Sequence, residues 1–362
     1  MAFPSRSRTA LVALFALLAL LGAGPSPVSA LPSLPPSPGA GSLPSGGAPA
    51  PPAAQNPPHG PSPNPQYPFP RPLTGDIRVV HDPTMARVGS QYVVYSTNEA
   101  VRSLVSDDGV DFRIAGRAFA QPPAWWQNYN ATGVIWAPDL SQRDDVFLLY
   151  YSVSSWGSNN SAIGLATSDT GLPGSWRDHG IVFASSGGDD FNAIDPSLLV
   201  DAEGRWWLVF GSFHTGIYLI SVDPETGMQS TTDRARHNLA RRGEGGAIEA
   251  PVIVERNGWY YLFVSFDTCC AGASSTYRIM VGRSASPTGP YVDRSGTPML
   301  DGGGTEVLAS HDWVIGPGGQ SVLREGDQDL LVYHYYHRDD NGTPYLGTNV
   351  LEWDDEGWPR VV

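Results

Sequence analysis

Five stretches of this chain share one composition: QYVVYSTN (91–98), VFLLYYSVSS (146–155), RWWLVFGSF (205–213), WYYLFVSFD (259–267) and LLVYHYYH (330–337). Each is dense in aromatic and β-branched residues and reads as a β-strand. They recur at intervals of roughly 55 to 70 residues, enough for about four short strands each. About ten residues before each run lies a short polar element containing proline. In order these are HDP (81–83), APD (137–139), IDPS (194–197), EAP (249–251) and GPGGQS (316–321). Between element and run sits a turn such as RVGSQ, SQRDD, DAEGR, ERNGW or REGDQ, the signature of a hairpin. Clear amphipathic helical stretches are missing; STTDRARHNLARR (230–242) is one short helix at best and reads better as a loop. Five units of about four strands predict an all-β, five-bladed β-propeller. A large β-sandwich would leave the fivefold recurrence unexplained.

The repeat occupies residues 73–362. The first thirty residues carry Arg6 and Arg8, an apolar run from Ala10 to Leu21, and small residues ending in VSA, which predicts a signal peptide cleaved after Ala30 and a secreted protein. The apolar run is shorter than the ~20 residues a membrane-spanning helix needs, and no later segment is long and apolar enough. Residues 31–72 are built from Pro, Gly, Ser and Ala, and predict a disordered linker that cannot offset its chain entropy by burial. A formal net charge of −14 argues against nucleic acid or an anionic membrane surface as partner and is compatible with a neutral one. A monomer is expected. The two cysteines, Cys269 and Cys270, are adjacent and cannot staple distant parts of a fold. In an oxidising compartment they can close a vicinal disulfide; otherwise they are two packed thiols.

In a propeller the innermost strand of each blade lines the central channel. If the five polar elements begin those strands, Asp82, Asp139, Asp195 and Glu249 converge at one mouth of the channel. Glu249 in GGAIEAPVIV is notable, because a carboxylate inside an apolar run is seldom buried without a partner. Clustered carboxylates raise one another's pKa, so one can stay protonated while another is ionised, as glycoside hydrolysis requires. Converging oxygens can also hold Ca²⁺. Trp136 precedes APD, and Phe213 and His214 end the third run. Aromatic rings bury the C–H faces of sugars, which makes Trp136 and Phe213 candidate platforms, although blade packing would also use such residues.

The motifs HDPTM, WAPDL, NAIDPSL, FGSF, IEAPVIV and FDTCCAGASSTYRIMVGRS, in this order, resemble glycoside hydrolase family 43, and within it the endo-1,5-α-L-arabinanases. The likeness runs from about residue 75 to the C-terminus. It implies a five-bladed propeller acting on plant cell-wall arabinan or a related pentosan by single displacement with inversion. On the matching positions it implies Asp82 as the general base, Glu249 as the general acid, and Asp195 as the carboxylate that orients the acid. An inverting pair stands ~6.5–9.5 Å apart, leaving room for water. Asn192 and Ser212 resemble residues that hydrogen-bond sugar hydroxyls. Asp139 has no catalytic role in this scheme. An exo-acting arabinofuranosidase or xylosidase of the same family is the nearest alternative, and a non-catalytic sugar-binding propeller another; the latter is disfavoured because all three carboxylates are present.

Such hydrolysis requires no cofactor. Many arabinanases place a metal-ligating His where this chain has Gly319, followed by Gln320. A structural Ca²⁺ in the channel therefore stays an open reading, with His311 and His334 near in sequence. The Cys269–Cys270 loop follows the fourth run and is expected to shape a sugar subsite at the channel mouth.

Overall fold

A computed structural model of the chain describes residues 54–55 and 67–362, apart from 244–245. The segment read as a signal peptide, and most of the linker, lie outside the described residues. Among those described, no helix is long and apolar enough to cross a membrane.

The strands form five antiparallel sheets, arranged as the five blades of a propeller. The inner strands are Thr84–Val88, Val134–Arg143, Ser197–Val200, Ile248–Arg256 and Val314–Glu325. Each aromatic run forms the second strand of its blade: Gln91–Ser96, Val146–Val153, Trp206–Phe210, Trp259–Phe266 and Gln328–His337. These strands are apolar without alternation because both faces are covered by neighbouring blades. Every residue of 260–266 is buried. The turn between Arg256 and Trp259 is Asn257-Gly258, both at positive φ, as a two-residue hairpin demands. The fourth strand of the first blade, Asp111–Arg117, is largely exposed.

The core is divided among the blade interfaces. One cluster joins the first two blades through Tyr95, Phe119 and Tyr151, and a second joins blades two and three through Tyr150, Phe191 and Phe210. A third joins blades three and four through Trp207, Leu262 and Met280. The largest joins blades four, five and one, and includes Phe263, Tyr333 and Phe112.

Two parts of the chain depart from the sequence reading. The boundary at residue 73 lies too late, because the chain is packed from Tyr67. Tyr67 is buried and its hydroxyl donates to Glu306, while Phe69 stacks on Trp313 at 5.1 Å. From there it runs along the outside of the fifth blade, where Arg71 N–H donates to Thr348 O and Leu346 N–H to Ile77 O. Thr74–Gly75 then pairs in parallel with Asp111 and Phe112 of the first blade, so this segment closes the ring. Ala54–Gln55 adds a short pairing with the same strand. The prolines of QYPFPRP hid two aromatic anchors. The second departure is 230–242, which holds the strand Arg236–Ala240, the outer edge of the third blade. Only Leu239 and Ala240 in it are buried, too few to give a periodic signal.

Candidate active site

The five polar elements share one backbone feature. Asp82, Ala137, Asp195, Ala250 and Gly319 all have φ between 39° and 57°. Left-handed backbone is uncommon outside glycine, so its recurrence at the same point of every blade is a built feature. In four blades proline follows, and in the fifth Gln320. The bulge turns the preceding residue outward. His81, Trp136, Ile194 and Glu249 all line one cleft of about 690 Å³. The residues on and after the bulge line a small channel cavity of about 30 Å³, and the bulge residues Asp82 and Asp195 line the cleft as well.

Each bulge amide is held by a side chain. Ala137 N–H donates to Thr97 Oγ1, Asp195 N–H to Ser152 Oγ, Gly319 N–H to Ser265 Oγ, and Asp82 N–H to His334 Nδ1. Thr97, Ser152, Ser265 and His334 come from the ends of the aromatic strands of the preceding blades. The third blade has Gly211 at that place, and there Asp195 Oδ2 accepts the Ala250 N–H at 3.0 Å. Asp195 therefore braces the backbone that carries Glu249.

Asp82, Asp195 and Glu249 all line the same cleft, as the sequence predicted. Their environments differ. Asp82 Oδ2 accepts Thr97 Oγ1–H at 2.7 Å and faces His81 Nδ1 at 3.1 Å, with His334 Nδ1 3.6 Å from Oδ1. Burial alone would raise its pKa, but His81 and the Thr97 hydrogen bond outweigh it and hold the carboxyl well below the usual range. Glu249 is only 8% exposed. Burial pushes its pKa up, against hydrogen bonds from Tyr277 (2.6 Å to Oε1) and Ser212 (2.7 Å to Oε2). Asp195 is raised further, by burial and then by the charges of Glu249 and Asp82. One cleft thus holds an ionised carboxylate beside two that favour the proton.

Of the expected sugar-binding residues, Trp136, Asn192, Ser212 and Phe213 all line this cleft. Phe213 is 42% exposed and free to stack. Asn192 is buried and its Oδ1 has no hydrogen-bond partner, an acceptor awaiting a donor. Ser212 differs from expectation. Its proton is committed to Glu249, so it acts on the acid before any sugar. Asp139 does not join the other three carboxylates in the cleft lining: it faces the channel cavity and accepts Leu198 N–H, and burial raises its pKa to about 6. The cysteines are joined as a vicinal disulfide on the cleft wall. The sequence reading missed Tyr277, Thr97, Tyr336 and Trp156. Trp156 lies in the cleft lining, 79% exposed, edge-on to Trp136. A tryptophan just past the second aromatic run was its only signal.

The profile of glycosyl hydrolases family 43 matches residues 77–359. The extracellular endo-α-(1→5)-L-arabinanase 1 of Bacillus subtilis is 45% identical over 287 residues, covering 78% of this chain and 87% of that one. The chain belongs to glycosyl hydrolases family 43. The extracellular exo-α-(1→5)-L-arabinofuranosidase of Cellvibrio japonicus is 37% identical, covering 78% of this family 43 chain and 86% of its own. Among solved structures, the α-L-arabinanase of Cellvibrio cellulosa complexed with arabinohexaose superposes with a TM-score of 0.76 at 37% identity, over 78% of this chain and 95% of that one. The family 43 endo-arabinanase of Bacillus licheniformis gives 0.74 at 44% identity, over 80% and 99%.

A channel Ca²⁺ is a separate matter for this family 43 hydrolase, and its residues do not fit one held by protein ligands near Gly319. Gly319 has no side chain, and a Cβ there would lie 2.4 Å from Asp82 Oδ1. Gln320 Oε1 accepts Ser265 Oγ–H and its Nε2 donates to Ala250 O, so both ends of the amide are held by the protein. His334 accepts the Asp82 amide at Nδ1, so its Nε2, buried and unpartnered, carries the proton of the neutral ring and has no lone pair for a cation. His81, Asp82 and His334 have ligand atoms within 4.8 Å of one another, but imidazoles are poor Ca²⁺ ligands and these groups bond each other. His311 lies elsewhere, its ring nitrogens facing Ala309 O and Pro68 O.

Proposed function

We propose that this protein is a secreted endo-arabinanase that cleaves internal α-1,5-L-arabinofuranosidic bonds by single displacement with inversion. The observation that carries the reading is the split of the carboxylates in one cleft: Asp82 held ionised, Glu249 held toward its protonated form. Asp82 takes a proton from water as that water attacks the anomeric carbon. Glu249 gives its proton to the leaving glycosidic oxygen. Asp195 holds the Ala250 amide and so braces the backbone that carries Glu249, while burial and the charge of Asp82 favour the proton on that acid. Trp136, Trp156 and Phe213 offer apolar faces to successive sugar rings, and Asn192 Oδ1 accepts from a hydroxyl. The Cys269–Cys270 ring forms an apolar stretch of the opposite wall.

Arabinan as substrate is supported by the relatives, named for α-(1→5)-L-arabinan chemistry, and by the arabinohexaose bound to a structural neighbour. Endo action is supported by the higher identity to an endo-acting than to an exo-acting relative, and by a cleft in the upper part of the size range of small-molecule sites. Secretion is supported by the N-terminal pattern and by two extracellular relatives.

The test is a product-size profile from linear α-1,5-arabinan at early times. A ladder of oligomers is expected. Arabinose or one short product from the outset would establish exo action instead, and no release would remove arabinan as the substrate. Glu249→Gln should fold normally and lose roughly 10²–10⁴-fold in rate. Near-normal turnover by that variant would remove Glu249 as the acid.

A further inference from the structure

His81, in the cleft lining, touches Asp82 through one ring nitrogen and a second network through the other. Its Nδ1 lies 3.1 Å from Asp82 Oδ2, and its Nε2 lies 2.6 Å from the Tyr336 hydroxyl. Tyr336 in turn accepts the backbone N–H of Cys270 at 2.8 Å. Below, the imidazole stacks on His334 with centroids 3.7 Å apart. A ring fixed at both nitrogens and on one face has little freedom to turn.

The direction of each hydrogen bond follows from the donors. Because Tyr336 accepts from Cys270, its own proton is free for His81 Nε2, which leaves the proton of a neutral ring on Nδ1. A charged ring also carries a proton on Nδ1. In both states Nδ1–H points at Asp82. Thr97 donates to the same carboxylate oxygen, Oδ2. Two donors on Oδ2 lock the carboxylate plane and leave Oδ1 as the oxygen that takes a proton from water.

We propose, resting on the reading of Asp82 as the base, that His81 is a positioning residue: its Nδ1–H pins Asp82 Oδ2, and Tyr336, anchored by the Cys270 amide, keeps the ring turned to do so. His81 does not touch the reacting bond. It acts through Asp82, and the disulfide loop acts through Tyr336 and His81 in series.

The test uses a soluble α-1,5-arabino-oligosaccharide of defined length and four variants of the full mature protein: His81→Ala, His81→Asn, Tyr336→Phe, and His81→Asn with Tyr336→Phe. An asparagine amide can set an N–H near the place of Nδ1, whereas alanine cannot. A lost hydrogen bond to a charged group predicts a fall in kcat of about 10- to 100-fold for His81→Ala, with KM nearly unchanged. His81→Asn should recover most of that loss. Tyr336→Phe should cost several-fold in the presence of His81 and almost nothing in the His81→Asn background, because only the imidazole needs the Tyr336 hydroxyl. Thermal melts exclude misfolding, and His81→Asn and Tyr336→Phe are conservative enough to be read if His81→Ala is not. If His81→Asn is as poor as His81→Ala, or if Tyr336→Phe costs the same in both backgrounds, the positioning role is wrong. Failure of the underlying reading looks different: Asp82→Asn would then keep the wild-type rate.

Discussion

Tyr277→Phe should move the basic limb of the pH–rate profile to higher pH. The Tyr277 hydroxyl donates to Glu249 Oε1 at 2.6 Å and stabilises the ionised form of the acid. A hydrogen bond to a charged group is worth about 1.5–3 kcal/mol, and one pKa unit corresponds to ~1.36 kcal/mol. The protonated acid keeps part of that bond through its carbonyl oxygen, so the net loss is about 1–2 kcal/mol, or about one pH unit. The sign follows from the role. Glu249 works protonated, its pKa is already raised by burial, and activity is lost as pH rises through that pKa. Removing a partner of the carboxylate raises the pKa again and postpones the loss. The acid limb belongs to Asp82, held low by His81, and should stay in place. The substitution removes one oxygen and leaves the ring, which fills the space at Gly318, where a Cβ would lie 2.1 Å from Tyr277 Cδ1. The assay is kcat/KM against pH on a soluble arabino-oligosaccharide. A basic limb that stays put or moves down would refute both the assignment of Glu249 as the acid and the account of what sets its pKa.

Other perturbations separate binding from support. Trp156→Ala should leave stability within about 0.5 kcal/mol, since an exposed surface residue is removed. It should raise KM about 3- to 10-fold on long oligosaccharides and less on short ones, measured across a chain-length series. Gly319→Ala places a methyl group 2.4 Å from Asp82 Oδ1 in left-handed backbone; a loss of about 1–3 kcal/mol in stability and more than tenfold in kcat is expected from melts and initial rates. Reducing Cys269–Cys270 with a dithiol should alter KM for polymer more than for short oligomers; equal activity on both, with two free thiols titrated, would remove the disulfide from the subsite.

The fivefold pattern was legible because a propeller's second strands are covered on both faces, and that alone forces continuous aromatic runs such as Trp259–Phe266. The polar elements were legible because a left-handed residue ahead of proline needs a small or Asx-type side chain, so Asp82, Ala137, Asp195 and Ala250 all stand before Pro. What the sequence could not show is which side chain answers which. Ser212 meets Glu249 across 37 positions, and Tyr336 meets His81 across 255. No local rule links them, and each pairing arises only when the ring of blades closes. The linker boundary failed for a related reason: Tyr67 and Phe69 lie in proline-rich sequence, but their partners Glu306 and Trp313 are supplied by distant blades.

The ring of bulges also explains why function and fold are hard to separate here. The left-handed bulge recurs where no carboxylate stands on it or just before it, at Ala137 and Gly319, so it is structural in origin. Chemistry is added to it in two ways. At Asp82 and Asp195 the bulge residue itself is the carboxylate, and Asp195 also replaces the side chain that Gly211 lacks in holding the next bulge. At Glu249 the carboxylate stands one residue earlier, on the face that the bulge turns into the cleft. In the proposed scheme base, acid and brace thus occupy different steps of one repeated backbone motif. Asp82 sits where His81 and Thr97 can favour its charge, and Glu249 where burial opposes it. The register of the bulge thus sets which carboxylate lies where its charge is favoured and which where burial opposes it, and the proposed division of proton transfer rests on that difference.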